Sequence, residues 1–389
     1  MRLRDDESNN GKSSFSLALE DAVGKTRANM ERFGERFPNV SSNGKYDCIG
    51  NASWTCGFWS GMLWLAYSQS GDEAFREAAR RTVDSFRSRL EGRMALQHHD
   101  IGFLYSLSSK AQWITERDPA ARELTLRAAD VLMERWRPAA GVFQAWGAQG
   151  EEKNGGRIII DSLMNMPLLY WASLQTGEEH YRHAARRHTE LSRRYLVRGD
   201  DSSYHTFFFD RENGEPVRGA THQGYADGST WTRGQAWGIY GFSLAYRYTG
   251  EPGFLDTARG MARYFMQRLP PDGVVYWDFD APQAAGTPRD SSANAIAACG
   301  MLELAGHLQE GDERREMDEG ARQLLAALIG NCSTMGEEAE GLLRHGSYSV
   351  RAGRNPDDYM IWGDYFYMEA LMRLTKGHCG YWYESLVNP

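Results

Sequence analysis

The amino-acid sequence predicts an all-α protein, an (α/α)6 barrel in which an outer ring of helices wraps an inner ring. Apolar residues recur at spacings of three and four along most of the chain, which is the period of an α-helix. The helical segments come in pairs: the first member is apolar nearly all round and the second on one face only. A Gly or Asp turn joins the two members, so each pair is expected to form a helical hairpin.

Five such hairpins follow one another along the chain. In the first of them, Ala78, Val83, Phe86 and Leu90 can share one face of the second helix. The first helix of a pair needs burial on all sides and belongs inside, whereas the second belongs outside. The five pairs are 58–67 with 75–90, 102–114 with 124–136, 163–174 with 181–196, 236–248 with 254–269, and 291–308 with 317–329.

A closed ring of this kind requires a sixth hairpin. Segments 17–33 and 363–374, one near each end of the chain, can supply it. Residues 16–389 are then expected to form a single barrel domain, with residues 1–15 as a disordered N-terminal extension. An open solenoid of helical hairpins is the structural alternative.

The charge balance narrows the classes of ligand. The 389 residues contain 44 Lys and Arg against 52 Asp and Glu, which gives a formal net charge of −8. A general nucleic-acid-binding protein would show a basic patch or stripe, so we expect no nucleic-acid partner. An anionic ligand would have to be met by a local cluster of positive groups.

Neither a membrane nor an oxidising compartment is indicated. The first fifteen residues are polar and lack the apolar core of a secretory signal. No run of about 18 apolar residues is present, so no membrane partner is expected. The cysteines are widely spread, without zinc or redox spacing, and we expect free thiols and a cytoplasmic protein. They are Cys48, Cys56, Cys299, Cys332 and Cys379.

Long segments between the hairpins hold the residues that could carry chemistry. Segments 141–160, 197–233, 273–290 and 341–362 are rich in Gly, Trp, Tyr, His and Asp. The run 204–209 alternates in a way that favours a short strand. Long loops on a rigid scaffold are where binding and catalytic groups concentrate, so we expect the site there.

Two aspartates, Asp100 and Asp161, each precede an apolar helical run. Both can be interpreted as helix N-caps, which would give them a structural role only. Asp161 also follows three Ile residues. A carboxyl group in apolar surroundings has a raised pKa, which a general acid working near neutral pH requires. Local sequence leaves the two interpretations of Asp161 open.

Segment 221–238 combines His, Gln, Arg and two Trp residues. Trp faces can stack on sugar rings, and the planar fork of Arg233 suits a carboxylate. The alternative is a well-packed aromatic loop before a core helix. Further Trp residues at loop–helix junctions favour a ligand cleft; they are Trp54, Trp59, Trp146, Trp277 and Trp362.

Taken together, these segments resemble the unsaturated glucuronyl hydrolases of glycoside hydrolase family 88, and the resemblance extends over nearly the whole chain. The matching segments are 99–103 (HDIGF), 156–161 (GRIIID), 199–205 (GDDSSYH), 228–238 (GSTWTRGQAWG), 289–293 (RDSSA), 356–359 (PDDY) and 380–384 (GYWYE). The resemblance implies an (α/α)6 barrel that removes a 4,5-unsaturated uronic acid from the non-reducing end of oligosaccharides left by polysaccharide lyases. It implies no metal or organic cofactor.

The resemblance also assigns roles to residues. Asp161 matches the general acid and base that hydrates the vinyl ether of the substrate, and Asp100 matches a second essential carboxylate that supports it. Other positions match substrate contacts or the aromatic lining of the cleft. These are His99, Trp54, Trp146, His205, Gln223, Trp231, Arg233, Trp237 and Tyr348.

Three alternatives stay open on the sequence. An inverting glycosidase would use Asp100 and Asp161 about 6.5–9.5 Å apart, with water between them. An unsaturated rhamnogalacturonyl hydrolase would share the fold and the chemistry, and a catalytically dead sugar-binding protein would share only the cleft. In some members of the family that prefer sulfated sugars, the loop matching segment 344–351 carries a Ser and Lys cluster. Here the segment has Arg but no Lys, which leaves a preference for sulfated sugars open. A monomer or weak homo-oligomer is expected.

Overall fold

The computed structural model describes residues 12–148 and 151–384, and helices dominate this part of the chain. In chain order the helices are α1 (Ser14–Phe33), α2 (Cys56–Ser70), α3 (Glu73–Glu91), α4 (Ile101–Ser106), α5 (Ser109–Glu116), α6 (Pro119–Met133), α7 (Met166–Thr176), α8 (Glu179–Leu196), α9 (Thr232–Thr249), α10 (Pro252–Gln267), α11 (Ser291–Ala305), α12 (Asp312–Asn331) and α13 (Ile361–Lys376). Helix α13 packs against both α1 and α2, which closes the ring. The (α/α)6 barrel is confirmed, and the open solenoid is not observed.

Burial separates the two rings as the sequence predicts. The inner ring consists of α2, α4 with α5, α7, α9, α11 and α13, and α2 is buried without a break from Cys56 to Ala66. The outer ring consists of α1, α3, α6, α8, α10 and α12. Helix α3 buries the predicted face that includes Val83 and Phe86. Each such apolar side chain contributes about 1.5–3 kcal/mol when it is fully buried.

Two boundaries differ from the expected ones. Helix α1 begins at Ser14, with Ser13 as its N-cap, so the boundary expected after residue 15 falls inside this helix. Residues 1–11 lie outside the described residues. The helix expected over 102–114 is broken into α4 and α5, because Ser108 leaves helical geometry at φ −113° and ψ −90°. The Ser108 hydroxyl donates to the Leu104 carbonyl at 2.6 Å, and such side-chain bonds compete with the helix ladder.

The inner helices start at one end of the barrel, and the C-terminal segment closes the other. Trp382 of that segment donates its indole N–H to Glu369 at 2.9 Å, and Lys110 donates to the Trp382 carbonyl at 2.9 Å. At the open end, the Trp362 indole donates to Ser292 at 3.0 Å, and both residues lie in the first turns of inner helices. The loops before the inner helices therefore surround the open end.

Short strands order these loops. They are β1 (Phe37–Ser42), β2 (Lys45–Ile49), β3 (Trp136–Arg137), β4 (Val142–Phe143), β5 (Arg157–Ile159), β6 (Thr206–Phe209) and β7 (Pro216–Ala220). Strand β6 lies between β5 and β7 in an antiparallel sheet, with Ile158 opposite Phe207. The pairing extends one step further, where the Ile160 N–H donates to the His205 carbonyl at 3.0 Å. This register brings His205 beside the residue that follows Ile160.

Along the two described stretches, none of the helices combines the length and the apolar character needed to cross a membrane. The five cysteines are free thiols, as the spacing predicted.

Candidate active site

Asp161 lies where β5 runs into a 3₁₀ helix, Ile160–Met164, at the open end of the barrel. Its side chain is 13% exposed. It does not cap a helix, because the cap position of the 3₁₀ helix falls on Ile159. Its Oδ2 atom has no hydrogen-bond partner. The N-cap interpretation of Asp161 is therefore wrong, and this carboxyl group is left available for chemistry.

Burial raises the pKa of Asp161 to about 7, and the nearby charge of Asp100 raises it further. The positive charge of Arg233 acts in the opposite direction. The nearby indole N–H of Trp237 also lowers the pKa of Asp161, although the indole nitrogen makes no hydrogen bond of normal geometry. Asp161 can thus carry a proton near neutral pH and release it, as a general acid and base must.

Asp100 stands at the start of α4, but its side chain makes no capping hydrogen bond. Burial alone would raise its pKa; the imidazoles of His99 and His98 and a hydrogen bond from Asn165 outweigh that effect and hold the pKa below its usual value. His99 Nε2 lies 3.4 Å from Asp100 Oδ1. Burial lowers the pKa of His99 to about 4, so this ring is uncharged at neutral pH. Asp100 is therefore ionised at neutral pH, whereas Asp161, with a pKa of about 7, can still hold its proton there.

A raised pKa alone does not identify the acid. Burial also raises the pKa of Asp364 to about 7. Its Oδ2 accepts hydrogen bonds from the Tyr46 hydroxyl at 2.7 Å and the Leu342 N–H at 2.9 Å, and its Oδ1 accepts from the Leu343 N–H at 3.1 Å. Asp364 is thus a structural carboxyl group, whereas Asp161 has an oxygen without a partner.

His205 faces Asp161 across the site. The His205 ring is 1% exposed, and its Nε2 lies 3.8 Å from Asp161 Oδ2. Its Nδ1 accepts hydrogen bonds from the backbone N–H groups of His222 at 3.0 Å and Gln223 at 3.1 Å. Burial, together with nearby His222 and Arg157, holds the pKa of His205 well below its ordinary value. The ring is therefore neutral.

Half-buried aromatic residues border the same site. Trp54 donates its indole N–H to the Tyr348 hydroxyl at 3.3 Å, and Gln223 donates its amide to the Tyr348 carbonyl at 2.7 Å. The Trp146 ring lies 5.0 Å from the His222 ring and 6.5 Å from the His205 ring. These contacts bring the predicted Trp54, Trp146, Gln223 and Tyr348 to one cleft.

Trp231 and Trp237 are almost fully buried, and their predicted roles as lining and substrate contact stay predictions. They are 3% and 0% exposed. The Trp231 ring packs 4.5 Å from the His205 ring, and the Trp237 ring packs 5.3 Å from the Phe103 ring. Helix α9, which follows Trp231 and contains Trp237, packs against the 3₁₀ helix that carries Asp161, so both indoles pack into the core beside the site.

Arg233 is held by other residues of the chain in this structure, and its predicted contact with a substrate carboxylate stays a prediction. It is 2% exposed and forms an ion pair with buried Asp290. It also donates to the carbonyl oxygens of Ser347 at 2.5 Å and Tyr348 at 2.8 Å. A guanidinium held by a carboxylate and two carbonyls orders the loop that contains Ser347 and Tyr348, and its charge lowers the pKa of Asp161.

Arg157 was missed as a candidate functional residue. Within the described part of the chain it has no acidic partner, and its buried Nε makes no hydrogen bond. Its guanidinium lies 4.6 Å from the Trp146 ring centroid and 5.1 Å from that of Phe208. A charged residue directly before three Ile residues was the signal in the sequence. Arg157 is a positive group at the cleft that is not neutralised by the protein.

The chemistry available here is proton transfer. Across residues 12–148 and 151–384, no three His, Cys, Asp or Glu side chains converge as ligands of a metal ion. Sugar-cleaving enzymes typically use two carboxyl groups with different pKa values, one that donates a proton and one that is ionised. Such a pair at the open end of an (α/α)6 barrel defines the class as a glycoside hydrolase.

Comparisons with known proteins give the family. The model of Glycosyl Hydrolase Family 88 matches residues 29–383. The chain is 60% identical to an unsaturated glucuronyl hydrolase of Bacillus sp. (strain GL1), over 95% of this chain and 99% of that one. It is 44% identical to an unsaturated chondroitin disaccharide hydrolase of Streptococcus pyogenes serotype M1, over 95% and 93%. The chain belongs to glycosyl hydrolase family 88, as the sequence motifs predicted.

A solved structure agrees with this assignment. The crystal structure of the unsaturated glucuronyl hydrolase of Bacillus sp. GL1, responsible for the degradation of glycosaminoglycan, superposes with a TM-score of 0.95 at 58% identity. The match covers 96% of this chain and 100% of that one.

Proposed function

We propose that this enzyme removes the 4,5-unsaturated glucuronic acid from the non-reducing end of oligosaccharides produced by polysaccharide lyases. The observation that carries the proposal is Asp161, a carboxyl group with a pKa of about 7 and an unpartnered oxygen, next to ionised Asp100. The relatives named above act on unsaturated glucuronyl or chondroitin disaccharide substrates by their descriptions, which supports the same substrate class here.

The substrate is a vinyl ether, so the reaction starts at its double bond. Protonated Asp161 donates its proton to C4, and the electron pair of the C4=C5 bond forms the new C4–H bond. The ring oxygen stabilises the positive charge that develops at C5. Water adds to C5 and returns a proton to Asp161. The resulting hemiketal opens, and the leaving sugar departs from C1 while the uronic acid becomes a keto-aldehyde.

The electrostatics of the site suit this positive intermediate. Asp100 supplies a fixed negative charge, and preorganised charges are usually the largest contribution to catalysis. His99 and His205 are both neutral, so they add no repulsion. The arrangement stabilises a cation that exists only after the proton has moved from Asp161 to the sugar.

Capture of the uronate carboxylate requires positive groups that line or surround the cleft. Arg157 provides one, and the exposed Arg351 and Arg354 add two more that act on the neighbouring His222. None of these three has an acidic partner among the described residues. The half-buried faces of Trp54 and Trp146 offer surfaces on which sugar rings can stack.

The test is turnover of unsaturated disaccharides that carry glucuronic acid, followed by loss of the ultraviolet absorbance of the enoate. The expected result is loss of absorbance with release of the leaving sugar. A saturated glucuronide of the same leaving sugar is the control and should not be cleaved. Cleavage of the saturated compound would instead indicate an inverting glycosidase, and a substrate that binds without being consumed would contradict an enzyme. Turnover of unsaturated galacturonyl disaccharides is compared with turnover of the glucuronyl ones. A preference for the galacturonyl compounds would indicate the unsaturated rhamnogalacturonyl hydrolase.

A cytoplasmic location is part of this proposal, and the five free thiols support it. The state as a monomer or weak homo-oligomer stays a prediction.

A further inference from the structure

The ring of His205 is fixed in one tautomer by the protein backbone. Two N–H groups, from His222 and Gln223, point at its Nδ1 at 3.0 and 3.1 Å. A nitrogen that accepts from two donors cannot carry a hydrogen itself, so the single ring hydrogen lies on Nε2. Protonation of Nδ1 would break both hydrogen bonds in a buried position. His205 is therefore a permanent N–H donor and not a proton acceptor.

A short gap separates this donor from Asp161, and among the described residues no acceptor lies within hydrogen-bond distance of the His205 Nε2. His205 Nε2 and Asp161 Oδ2 are both buried, and neither has a hydrogen-bond partner. They lie 3.8 Å apart, which is too long for a direct hydrogen bond. One oxygen atom placed beside the gap can lie within hydrogen-bond distance of both. Two facing buried polar atoms without partners call for an explanation, and a ligand or water molecule between them supplies one.

We propose that His205 and Asp161 together hold the water molecule that adds to C5 of the substrate, with His205 as the residue that fixes its position. This inference rests on the proposed function, because only a hydration reaction consumes a water at this place. His205 donates its Nε2–H to the water oxygen, and Asp161 faces one of the hydrogens of the water.

The proton balance follows from this placement. Asp161 first gives its proton to C4, and the C4=C5 electron pair forms the C4–H bond. The water oxygen then forms the C5–O bond with one of its lone pairs. One water hydrogen passes to the carboxylate of Asp161, which restores the carboxylic acid. His205 keeps its hydrogen throughout, so the ring is unchanged at the end of the cycle.

The two backbone hydrogen bonds to Nδ1 of His205 make this role specific. A histidine free to change tautomer could present an acceptor to the water and turn its lone pairs away from C5. Because His222 and Gln223 hold Nδ1, the water receives a hydrogen bond from Nε2, cannot donate to His205, and can donate to Asp161. Its remaining lone pair is then left for C5.

Two variants separate the donor from the bulk of the ring. His205→Gln retains an N–H donor near the position of Nε2, and His205→Leu removes it at similar size. We expect His205→Leu to lower kcat about 100-fold, the loss typical of a misplaced reactant, with KM changed less than about 3-fold. His205→Gln should recover at least a tenth of the wild-type kcat. Thermal unfolding of both variants checks that the fold is intact.

Wild-type protein gives an independent test. Nitrogen-15 NMR of histidine-labelled enzyme should show His205 with a bare Nδ1 and a protonated Nε2, unchanged from pH 5 to pH 9. A hydrogen on Nδ1, or a ring that titrates in this range, would overturn the inference even if no variant folds. Equal kcat in His205→Leu and wild type, or equal losses in the Leu and Gln variants, would also overturn it.

Failure here is distinguishable from failure of the proposed function. If wild-type enzyme consumes the unsaturated disaccharide and Asp161→Asn does not, the proposed function stands, whatever His205→Leu shows. If wild-type enzyme leaves the disaccharide intact, the proposed function fails and the inference fails with it.

Discussion

Gly102 and Asn165 are in direct contact, backbone against backbone. A Cβ atom on Gly102 would lie 2.4 Å from the Asn165 Cα and 2.7 Å from its carbonyl oxygen. Asn165 accepts the Phe103 N–H at 2.8 Å, and its amide nitrogen lies 3.4 Å from the Asp161 carbonyl oxygen. This contact holds the start of α4, which carries Asp100, against the turn that carries Asp161. The spacing of the two carboxyl groups thus depends on the absence of a side chain at residue 102.

We expect Gly102→Ala to lower kcat at least 10-fold, because the added methyl group must push α4 away from the Asp161 turn; a 1 Å displacement of a catalytic group can cost about 100-fold. Gly24→Ala is the matched control, since Gly24 lies inside α1 with nothing within 4 Å of its added Cβ. It should keep full activity and gain about 0.5–1 kcal/mol of stability. Steady-state kinetics and urea unfolding measure both, and unchanged kcat in Gly102→Ala would contradict the argument.

Asp161→Asn should be inactive and, at alkaline pH, more stable than wild type. The pKa of Asp161 is about 7 in the folded protein against an ordinary value of 3.8. Between these values the unfolded chain has lost the proton and the folded chain retains it, so wild-type stability falls as pH rises and levels off above pH 7. Asn cannot ionise and escapes this loss.

The expected gain in the free energy of unfolding of Asp161→Asn is at most about 4 kcal/mol at pH 8, and it should nearly vanish at pH 4. The residual exposure of the side chain makes this an upper limit. Thermal unfolding at both pH values checks it. A stability difference that is the same at pH 4 and pH 8 would show that the carboxyl group is not destabilised by burial.

The pH dependence of activity should report the same group. We expect kcat/KM to fall as pH rises through about 7, because Asp161 then loses the proton that it must donate. In Asp100→Asn the pKa of Asp161 should move to a lower value, since the charge that raises it is gone. This variant is expected to be slow, so carbon-13 NMR of labelled aspartate is the measurement. An unmoved pKa would place Asp100 too far away to act on Asp161.

Removal of Arg233 should destabilise the fold as well as impair turnover. Arg233→Ala leaves Asp290 charged and buried without its partner, a change that typically costs about 3–5 kcal/mol. Arg233→Met combined with Asp290→Asn should regain part of the stability, because no isolated charge is left. Urea unfolding tests both. Wild-type stability in Arg233→Ala with only KM raised would restore the view that this residue is a carboxylate-binding group.

Arg157 should instead affect binding through its charge. We expect kcat/KM for the anionic substrate to decrease as salt is added, because salt screens the attraction between a carboxylate approaching through solvent and the positive groups of the cleft over about 10 Å at 0.1 M salt. Arg157→Met should lower kcat/KM several-fold at low salt and flatten this dependence. Arg315→Met is the control, because Arg315 is 66% exposed and pairs with Asp312 on the outer helix α12. If both variants show the wild-type salt dependence, Arg157 does not attract the substrate.

The sequence by itself determined the barrel. The spacing of apolar residues predicts which helices are buried on all sides and which are buried on one face. This prediction does not depend on the conformation of the loops. Asp161 was recognisable as a candidate acid because the apolar residues that raise its pKa are its immediate neighbours along the chain. The break at Ser108 was not predictable, since it arises from a side-chain hydroxyl that competes for one carbonyl.

The tertiary structure decided which polar groups are free. The sequence predicts a guanidinium open to a substrate carboxylate at Arg233, because the partners of Arg233 are remote along the chain. Asp290 lies 57 residues away and Ser347 lies 114 residues away. Arg157 is left unpaired for the opposite reason, since no acidic residue folds against it within the described chain. The tautomer of His205 is likewise set by a loop 17 residues further on. Whether a hydrogen bond or ion pair forms depends on differences of a few tenths of an ångström in the distance between two groups. For groups that are remote in sequence, only the folded chain sets that distance.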